Sequence, residues 1–104
     1  MYFTVGPNKA GDYTWWLHAA NHEMVAWAGE AFASQYNANR AAASFKAGAY
    51  TARYEVYLDA GQAWRWRAWR GSDKVAASGE SFSTKSVAEA SAENVRRNGG
   101  SADL

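Results

Sequence analysis

The sequence repeats itself at an interval of fifty residues, and this repeat constrains the fold more than any other feature. The identical pairs include Gly11 with Gly61, Trp16 with Trp66, Gly29 with Gly79, Glu30 with Glu80, Phe32 with Phe82 and Ala38 with Ala88. Before Gly11 the interval becomes fifty-one, which predicts one extra residue in the Gly6–Gly11 turn of the first copy. A fixed interval of this length indicates that one supersecondary unit has been duplicated.

Each copy is predicted to form three strands followed by a helix. Alternating runs rich in aromatic and β-branched residues, separated by turn residues, predict the strands. They are expected at Phe3–Val5, Tyr13–Ala20 and Met24–Ala28 in the first copy, and at Tyr54–Tyr57, Trp64–Trp69 and Lys74–Ser78 in the second. Apolar residues at helical spacing then predict a helix from Ser34 or Gln35 to Gly48. A second helix, with a capping box at Ser86, is predicted to end at Asn98.

A chain of 104 residues fits a single domain and is too short for two ordinary ones. One three-stranded sheet with one helix would bury too little surface to fold alone. We therefore predict an α+β domain over residues 1–98, made of repeats 2–48 and 53–98, with 99–104 as a flexible tail. The two repeats are expected to share one antiparallel sheet, with both helices on one face and a pseudo-twofold axis between them.

The composition excludes several classes of protein. No cysteine is present, which removes disulfides, thiolate nucleophiles and most structural zinc sites. Lys and Arg number 11 against 10 Asp and Glu, and a net charge of +1 argues against a strongly electrostatic nucleic-acid binder. No apolar run approaches the roughly twenty residues of a membrane helix, and no signal-peptide pattern is visible. A cytoplasmic protein without membrane association is expected.

Four segments of the second copy follow a known pattern. They are Tyr54-Glu55-Val56-Tyr57-Leu58-Asp59, Trp64-Arg65-Trp66-Arg67, Gly79-Glu80-Ser81-Phe82-Ser83-Thr84-Lys85 and Asn94-Val95-Arg96-Arg97. These segments resemble the YegP-like family, small and mostly bacterial proteins found as single or tandem repeats. The first copy departs from the pattern at Thr14-Trp15-Trp16-Leu17, which lacks both strand arginines, and at Gln35, where the family has lysine.

The resemblance covers essentially the whole chain and corresponds to the tandem form. It implies an α+β fold in which two β-β-β-α-β units form one sheet by exchanging their last strands. Single-repeat members of the family pair as dimers, so the tandem chain is expected to be a monomer that acts as an intramolecular dimer of repeats. The family has no established biochemical activity, so the resemblance implies none here.

Strand alternation sorts the aromatic residues into two faces of the sheet. Because Trp16 and Trp66 recur, both are predicted to face the helices, with Phe32 and Phe82 also in the core. The opposite face is then predicted to carry Arg65, Arg67, Trp69 and Tyr57, with Trp15 and Tyr2 from the first copy. Arginine beside aromatic rings suits a protein-binding surface or single-stranded nucleic acid. A simpler alternative is that the arginines only keep an open sheet face soluble.

Catalytic and metal signatures are weak. His18 and His22 lie four apart in a predicted hairpin, which is not the helical spacing of a zinc motif. The duplicated Glu30 and Glu80 are compatible with an acid/base pair, but their place before each helix favours structural capping. No metal, cofactor or catalytic residue is predicted.

The chain is therefore predicted to be a non-catalytic binding or scaffold module. Its expected contact surface consists of Arg65, Arg67, Trp69, Tyr57 and Trp15. Two alternatives remain open. One is single-stranded nucleic-acid binding, and the other is a small ligand-binding protein or enzyme that uses Glu30, Glu80 and His18.

Overall fold

The computed structural model describes residues 1–104 and consists of one six-stranded antiparallel sheet with two helices packed on it. The elements are β1 (Tyr2–Pro7), β2 (Tyr13–His18), β3 (Met24–Trp27), α1 (Gln35–Gly48), β4 (Arg53–Leu58), β5 (Trp64–Arg70), β6 (Asp73–Ser78), α2 (Lys85–Asn98) and a short 3-10 helix, Gly99–Ser101. Both halves of the chain have the same order of elements, and the predicted α+β architecture is confirmed. Neither helix has the length and apolar character needed to cross a bilayer.

The sheet joins the two halves at its centre. Its strand order is β1-β2-β3-β6-β5-β4, so each half contributes a three-stranded meander. The halves meet where Ala26 pairs with Ser78 and Trp27 pairs with Ala77. We call this β3–β6 junction the seam. Helix α1 packs on β1 and β2, and α2 packs on β4 and β5.

The core lies between the sheet and the helices and is anchored by one tryptophan in each half. Trp15 is fully buried, and its ring stacks on Phe45 of α1 with centroids 5.1 Å apart. Trp66 is also fully buried and donates a hydrogen bond from Nε1 to Ser91 Oγ of α2 at 3.0 Å. Small side chains let the helices approach the sheet closely: Ala26, Ala38, Ala42, Ala68, Ala76, Ala88 and Ala92 are all buried.

The prediction that Trp16 faces the helices is wrong, and so is the prediction that Trp15 lies on the opposite face. Trp15 is the buried ring of β2, whereas Trp16 is partly exposed and pairs with Trp27 across the β2–β3 ladder. The prediction for Trp66 is correct. Phe32 and Phe82 pack against the core but are only partly buried.

The physical reason is that the predicted alignment of the two halves is displaced by one residue along β2. The turns after β1 and β4 have equal length and the same hydrogen bonds. Oδ1 of Asn8 and Oδ1 of Asp59 each accept hydrogen bonds from the backbone amides two and four residues further on. The extra residue of the first half therefore lies in the β2–β3 turn and not in the Gly6–Gly11 turn. There His18 pairs with Met24, six positions on, whereas Trp69 pairs with Lys74, five positions on.

It follows that the interval stays at fifty-one through the whole second strand, which makes Trp15 the equivalent of Trp66. A slip of one residue exchanges the two faces of a strand. Pairing Trp16 with Trp66 therefore inverted the face assignment for β2 while leaving that of β5 intact.

Both helices are capped by a hydroxyl side chain, and in α2 the cap lies two residues before the predicted capping box. Ser34 Oγ accepts a hydrogen bond from the Asn37 amide at 3.1 Å, and Thr84 Oγ1 accepts one from the Val87 amide at 3.2 Å. Both cap residues have extended backbone, as N-caps require. The predicted box at Ser86 is wrong because Ser86 already lies inside the first helical turn.

The predicted flexible tail is also wrong, because the last residues pack against the domain. Ala102 is 2% exposed, and Asp103 forms a parallel bridge with Tyr2. The Phe3 amide donates to the Asp103 carbonyl at 2.8 Å, and the Asp103 amide donates to the Met1 carbonyl at 3.1 Å. The end of the second half thus lies against the first strand of the first half, as an exchanged last strand would.

Candidate functional site

The face of the sheet opposite the helices is not covered by any element. Both helices contact the other face, and strand alternation directs every second side chain outward. We call this surface the open face. Its central side chains are Tyr2, Thr4, Trp16, His18, Trp27, Glu55, Tyr57, Arg65, Arg67 and Trp69. A broad set of aromatic rings is therefore available to a partner.

Cations and aromatic rings alternate on the β4–β5 part of the open face. Cζ of Arg67 lies 4.3 Å from the ring centre of Tyr57 and 5.4 Å from that of Trp69. Cζ of Arg53 also lies near the Trp69 ring, 5.8 Å from its centre. Each distance is within the range in which a cation is attracted to an aromatic face. We call these four residues the cation–aromatic ladder.

Glu55 holds the centre of this ladder in place. Its Oε1 accepts a hydrogen bond from Arg67 Nε at 2.6 Å and another from Trp69 Nε1 at 3.1 Å. These bonds, first that of Arg67 and then that of Trp69, hold the pKa of Glu55 below its ordinary value. The carboxylate is therefore ionised at neutral pH, and the Arg67 and Trp69 side chains are ordered by one charged group.

Arg65 is paired in the same way with the turn that precedes β5. Its Nε donates to Asp59 Oδ2 at 2.7 Å, while Asp59 Oδ1 accepts the Gly61 and Ala63 amides. The Ala63 amide, followed by Arg65, lowers the pKa of Asp59. Both arginines keep other N–H donors free, since the side chains of Arg65 and Arg67 are 41% and 37% exposed. An incoming phosphate would nevertheless have to compete with a carboxylate at each one.

The first half of the open face is aromatic and carries no ion pair. The ring of Tyr2 stacks on His18 with centroids 4.9 Å apart, and its hydroxyl is hydrogen-bonded to Nδ1 of His22 at 2.7 Å. Nε2 of His18 is hydrogen-bonded to Thr4 Oγ1 at 2.9 Å. No group of three His, Cys, Asp or Glu residues is arranged to hold a metal ion. The two histidines are thus part of a tyrosine–histidine stack.

Four of the five predicted contact residues come together on the open face, and one does not. Arg65, Arg67, Trp69 and Tyr57 are neighbours across β4 and β5. Trp15 is 0% exposed in the core and has no access to this surface.

Four further members of this surface were not predicted from the sequence, namely Glu55, Arg53, Trp16 and Trp27. A signal for Glu55 was present, because it lies two residues before Tyr57 on the same strand and alternation places both on one face. Its pairing with Arg67 depends on the β4–β5 register, in which the two residues are direct partners. That register is a property of the folded sheet.

The duplicated glutamates are not assembled into one site. Glu30 and Glu80 are both exposed, and neither side chain makes a hydrogen bond or an ion pair within the chain. Glu30 lines a cavity beside α1, whereas Glu80 lines none of the three cavities. The helix caps are Ser34 and Thr84, so the capping role expected for the glutamates is wrong.

Comparisons with known proteins establish the fold. No protein-family model matches the chain, and no curated protein matches it. The solution NMR structure of yegP from E. coli, a protein of unknown function, superimposes with a TM-score of 0.81 at 19% identity over 98% of this chain and 88% of that one. A UPF0339 protein from Shewanella oneidensis superimposes with a TM-score of 0.79 at 15% identity over 95% of this chain and 84% of that one.

Proposed function

We propose that this chain, which has the fold of the YegP-like proteins, is a non-catalytic binding module that takes a protein partner on the open face of its sheet. The observation that carries the proposal is the ladder ordered by Glu55. Trp, Tyr and Arg are the residues in which binding energy concentrates at protein interfaces. Side chains that are already held in place lose little conformational entropy when a partner arrives.

The charges of the open face indicate the chemistry of the partner. On β4, β5 and the turn between them, three arginines (Arg53, Arg65 and Arg67) face two carboxylates (Glu55 and Asp59), which leaves one positive charge in excess there. The neighbouring half supplies uncharged rings. Because complementary potentials favour association, the partner is a segment whose apolar or aromatic side chains are flanked by acidic residues.

Single-stranded nucleic acid is the second candidate, since it also uses arginine with stacking rings. Two observations favour the protein partner. Arg65 and Arg67 each have a carboxylate within hydrogen-bonding distance, and the chain has a net charge of only +1, which provides little attraction for a polyanion.

The proposal treats the chain as a cytoplasmic monomer in which two repeats form an intramolecular dimer. It assigns no catalysis because the groups of the competing enzyme hypothesis are dispersed. His18 lies in the stack with Tyr2 on the open face, Glu30 lies beside α1, and Glu80 lines no cavity.

The test is a titration of the isotope-labelled protein with three probes, followed by NMR. The probes are a peptide of alternating glutamate and phenylalanine, the same peptide with lysine for glutamate, and oligothymidine at low and high salt. We expect the acidic peptide to bind best and to shift the indole signals of Trp69, Trp16 and Trp27. Arg67→Ala and Trp69→Ala should each weaken its affinity by about tenfold or more, as truncation of an interface hot spot does.

Tyr36→Ala is the matched control, because Tyr36 is 68% exposed on α1, away from the open face. It should leave the affinity unchanged. Binding of oligothymidine alone, weakened by salt, would replace the protein partner with nucleic acid. Shifts confined to the helix side, or no shift with any probe at millimolar concentration, would refute the proposal.

A further inference from the structure

The largest cavity of the protein lies between α1 and the β5–β6 hairpin, and Trp69 of the cation–aromatic ladder is one of its lining residues. It measures about 550 Å³, a volume typical of small-molecule sites. Ala41 and Phe45 of α1 form one wall, and Val75 of β6 lies on the other side. Phe32 and Ala28 complete an apolar interior large enough for an aromatic ring.

The two walls are fixed to each other by Arg70 at the end of β5. Nη1 of Arg70 donates to Ser44 Oγ at 2.7 Å, and Nη2 donates to the Ser44 carbonyl at 2.8 Å. Gly48 of α1 makes room for this contact, because a Cβ at that position would collide with Nη2 of Arg70. The β5–β6 hairpin and α1 are therefore held at a set separation, and the cavity between them is preformed.

The polar rim of the cavity carries more negative than positive charge. The carboxylates of Glu30 and Asp73 and the ammonium of Lys74 line it, and none of these groups makes an ion pair within the chain. The guanidinium of Arg70 lies beside this rim, because both of its Nη atoms donate to Ser44, a lining residue. The carboxylates of Glu30 and Asp73 are therefore without an ion pair of their own, and a cationic ligand can pair with either.

The equivalent position, between α2 and the β2–β3 hairpin, holds no cavity. Glu80 corresponds to Glu30 but lines none of the three cavities. The equivalent of Arg70 is Ala19, which has no side chain able to hold the β2–β3 turn against α2. A cavity required by the fold would occur at both equivalent positions. This one is therefore a particular feature of α1 and the β5–β6 hairpin.

We infer that this cavity binds a small molecule with a ring-sized apolar body and a primary amine, that is, an arylalkylamine. The ring packs between Phe32 and Phe45, and the ammonium group lies at the rim between the carboxylates of Glu30 and Asp73. Because hydrogen bonds between an ammonium group and a carboxylate are charge-assisted, an amine binds more tightly than a neutral end group such as a hydroxyl. The site shares Trp69 with the open face, but Glu30, Phe32 and Phe45 are not part of that surface, so its test does not depend on the proposed function.

Three probes with the same indole ring separate the contribution of the ring to the affinity from that of the polar end group. They are tryptamine, tryptophol and indole-3-propionate, measured by calorimetry on the full chain. Tryptamine should bind about tenfold more tightly than tryptophol, and indole-3-propionate should bind most weakly. Glu30→Gln and Asp73→Asn should each reduce the preference for tryptamine over tryptophol, whereas the matched control Glu80→Gln should not.

Two further variants test the location. Ala41→Phe fills the cavity, and Ser72→Trp covers its rim from an exposed position. Each should abolish binding of all three probes, and Ser72→Trp keeps the test decisive if Ala41→Phe does not fold. The inference would be overturned if tryptamine did not bind at millimolar concentration or if Ser72→Trp left binding unaffected. Equal affinity for the three probes, or a preference for indole-3-propionate, would also overturn it.

Discussion

Trp15 and Trp16 are adjacent in the chain, yet their side chains lie in opposite environments. Trp15 is fully buried between Phe45 and Phe3, with ring centroids 5.1 and 5.5 Å away. Trp16 is partly exposed on the open face, opposite Trp27. A buried ring contributes its whole surface to the hydrophobic core, whereas a ring on an open sheet face contributes part of it.

Truncation of the two tryptophans should therefore have very different effects on stability. Trp15→Ala should lower the free energy of unfolding by about 3–5 kcal/mol, the cost of emptying a core position. Trp16→Ala should lower it by about 1 kcal/mol, as is common for sites outside the core. Urea unfolding of both variants measures the difference. Equal losses, or a larger loss for Trp16→Ala, would contradict the face assignment.

The strands and helices could be predicted from the sequence nearly to the residue, but the faces of β2 could not. Two successive tryptophans make the alignment of the two copies ambiguous, because either one can be aligned with Trp66. The identity of Trp16 with Trp66 at fifty suggested one alignment, and the turn residues Asn8 and Asp59 at fifty-one supported the other. Only the hydrogen bonds of those turns decide which hairpin carries the extra residue.

The charged part of the open face could be predicted only in part. Arg65, Arg67 and Trp69 lie two residues apart on one strand, so alternation alone places them together. Their partners Glu55 and Asp59 come from the neighbouring strand and its turn, and that contact depends on cross-strand register.

Acid should loosen the ladder at a pH set by Glu55. Because Arg67 and Trp69 lower its pKa in the folded state, the stabilising contribution of Glu55 is complete above the ordinary glutamate pKa of about 4.3. It is lost as the pH falls through the lower folded value. The indole N–H signal of Trp69 should shift with a midpoint below pH 4.3, and Glu55→Gln should remove this step. A midpoint at or above the ordinary value would contradict the contact.

At the scale of the elements, both helices begin at a hydroxyl side chain that follows extended backbone. Ser34 and Thr84 each accept the amide three residues on. Ser86, two residues inside α2, makes only a 3.4 Å contact with the Thr84 hydroxyl. The helix start thus depends on one residue in each half.

Removal of these caps should destabilise the protein, and removal of Ser86 should not. Ser34→Ala and Thr84→Ala should each lower the free energy of unfolding by about 1 kcal/mol, the usual effect of losing an N-cap. Ser86→Ala is the internal control and should change it by no more than about 0.5 kcal/mol. Chemical denaturation of the three variants measures the effect. A loss for Ser86→Ala comparable to that for Thr84→Ala would restore the capping box.

At the scale of the whole molecule, the last residues tie the second half to the first. Ala102 is buried, and Asp103 exchanges hydrogen bonds with Met1 and Phe3 at the free edge of β1. These contacts pair backbone groups that an edge strand otherwise presents to solvent.

A chain that ends at Ser101 should be less stable by about 1.5–4.5 kcal/mol, because three backbone hydrogen bonds at about 0.5–1.5 kcal/mol each are lost. Its Phe3 amide should also exchange faster with deuterium, since its acceptor is the Asp103 carbonyl. Leu104→Ala is the control, because Leu104 is 59% exposed. Unchanged Phe3 exchange in the shortened chain would contradict the packed tail.

The seam has a consequence for the rate at which the protein folds. The other ladders are hairpins between consecutive strands, whereas Ala26 and Ser78 are roughly fifty residues apart along the chain. Contacts of high sequence separation form after a large loop has been closed. Ala77→Gly, at the seam, should therefore speed unfolding and leave the folding rate unchanged in stopped-flow measurements. A slower folding rate would place Ala77 in the folding nucleus, with its seam partner Trp27 or its hairpin partner Arg67.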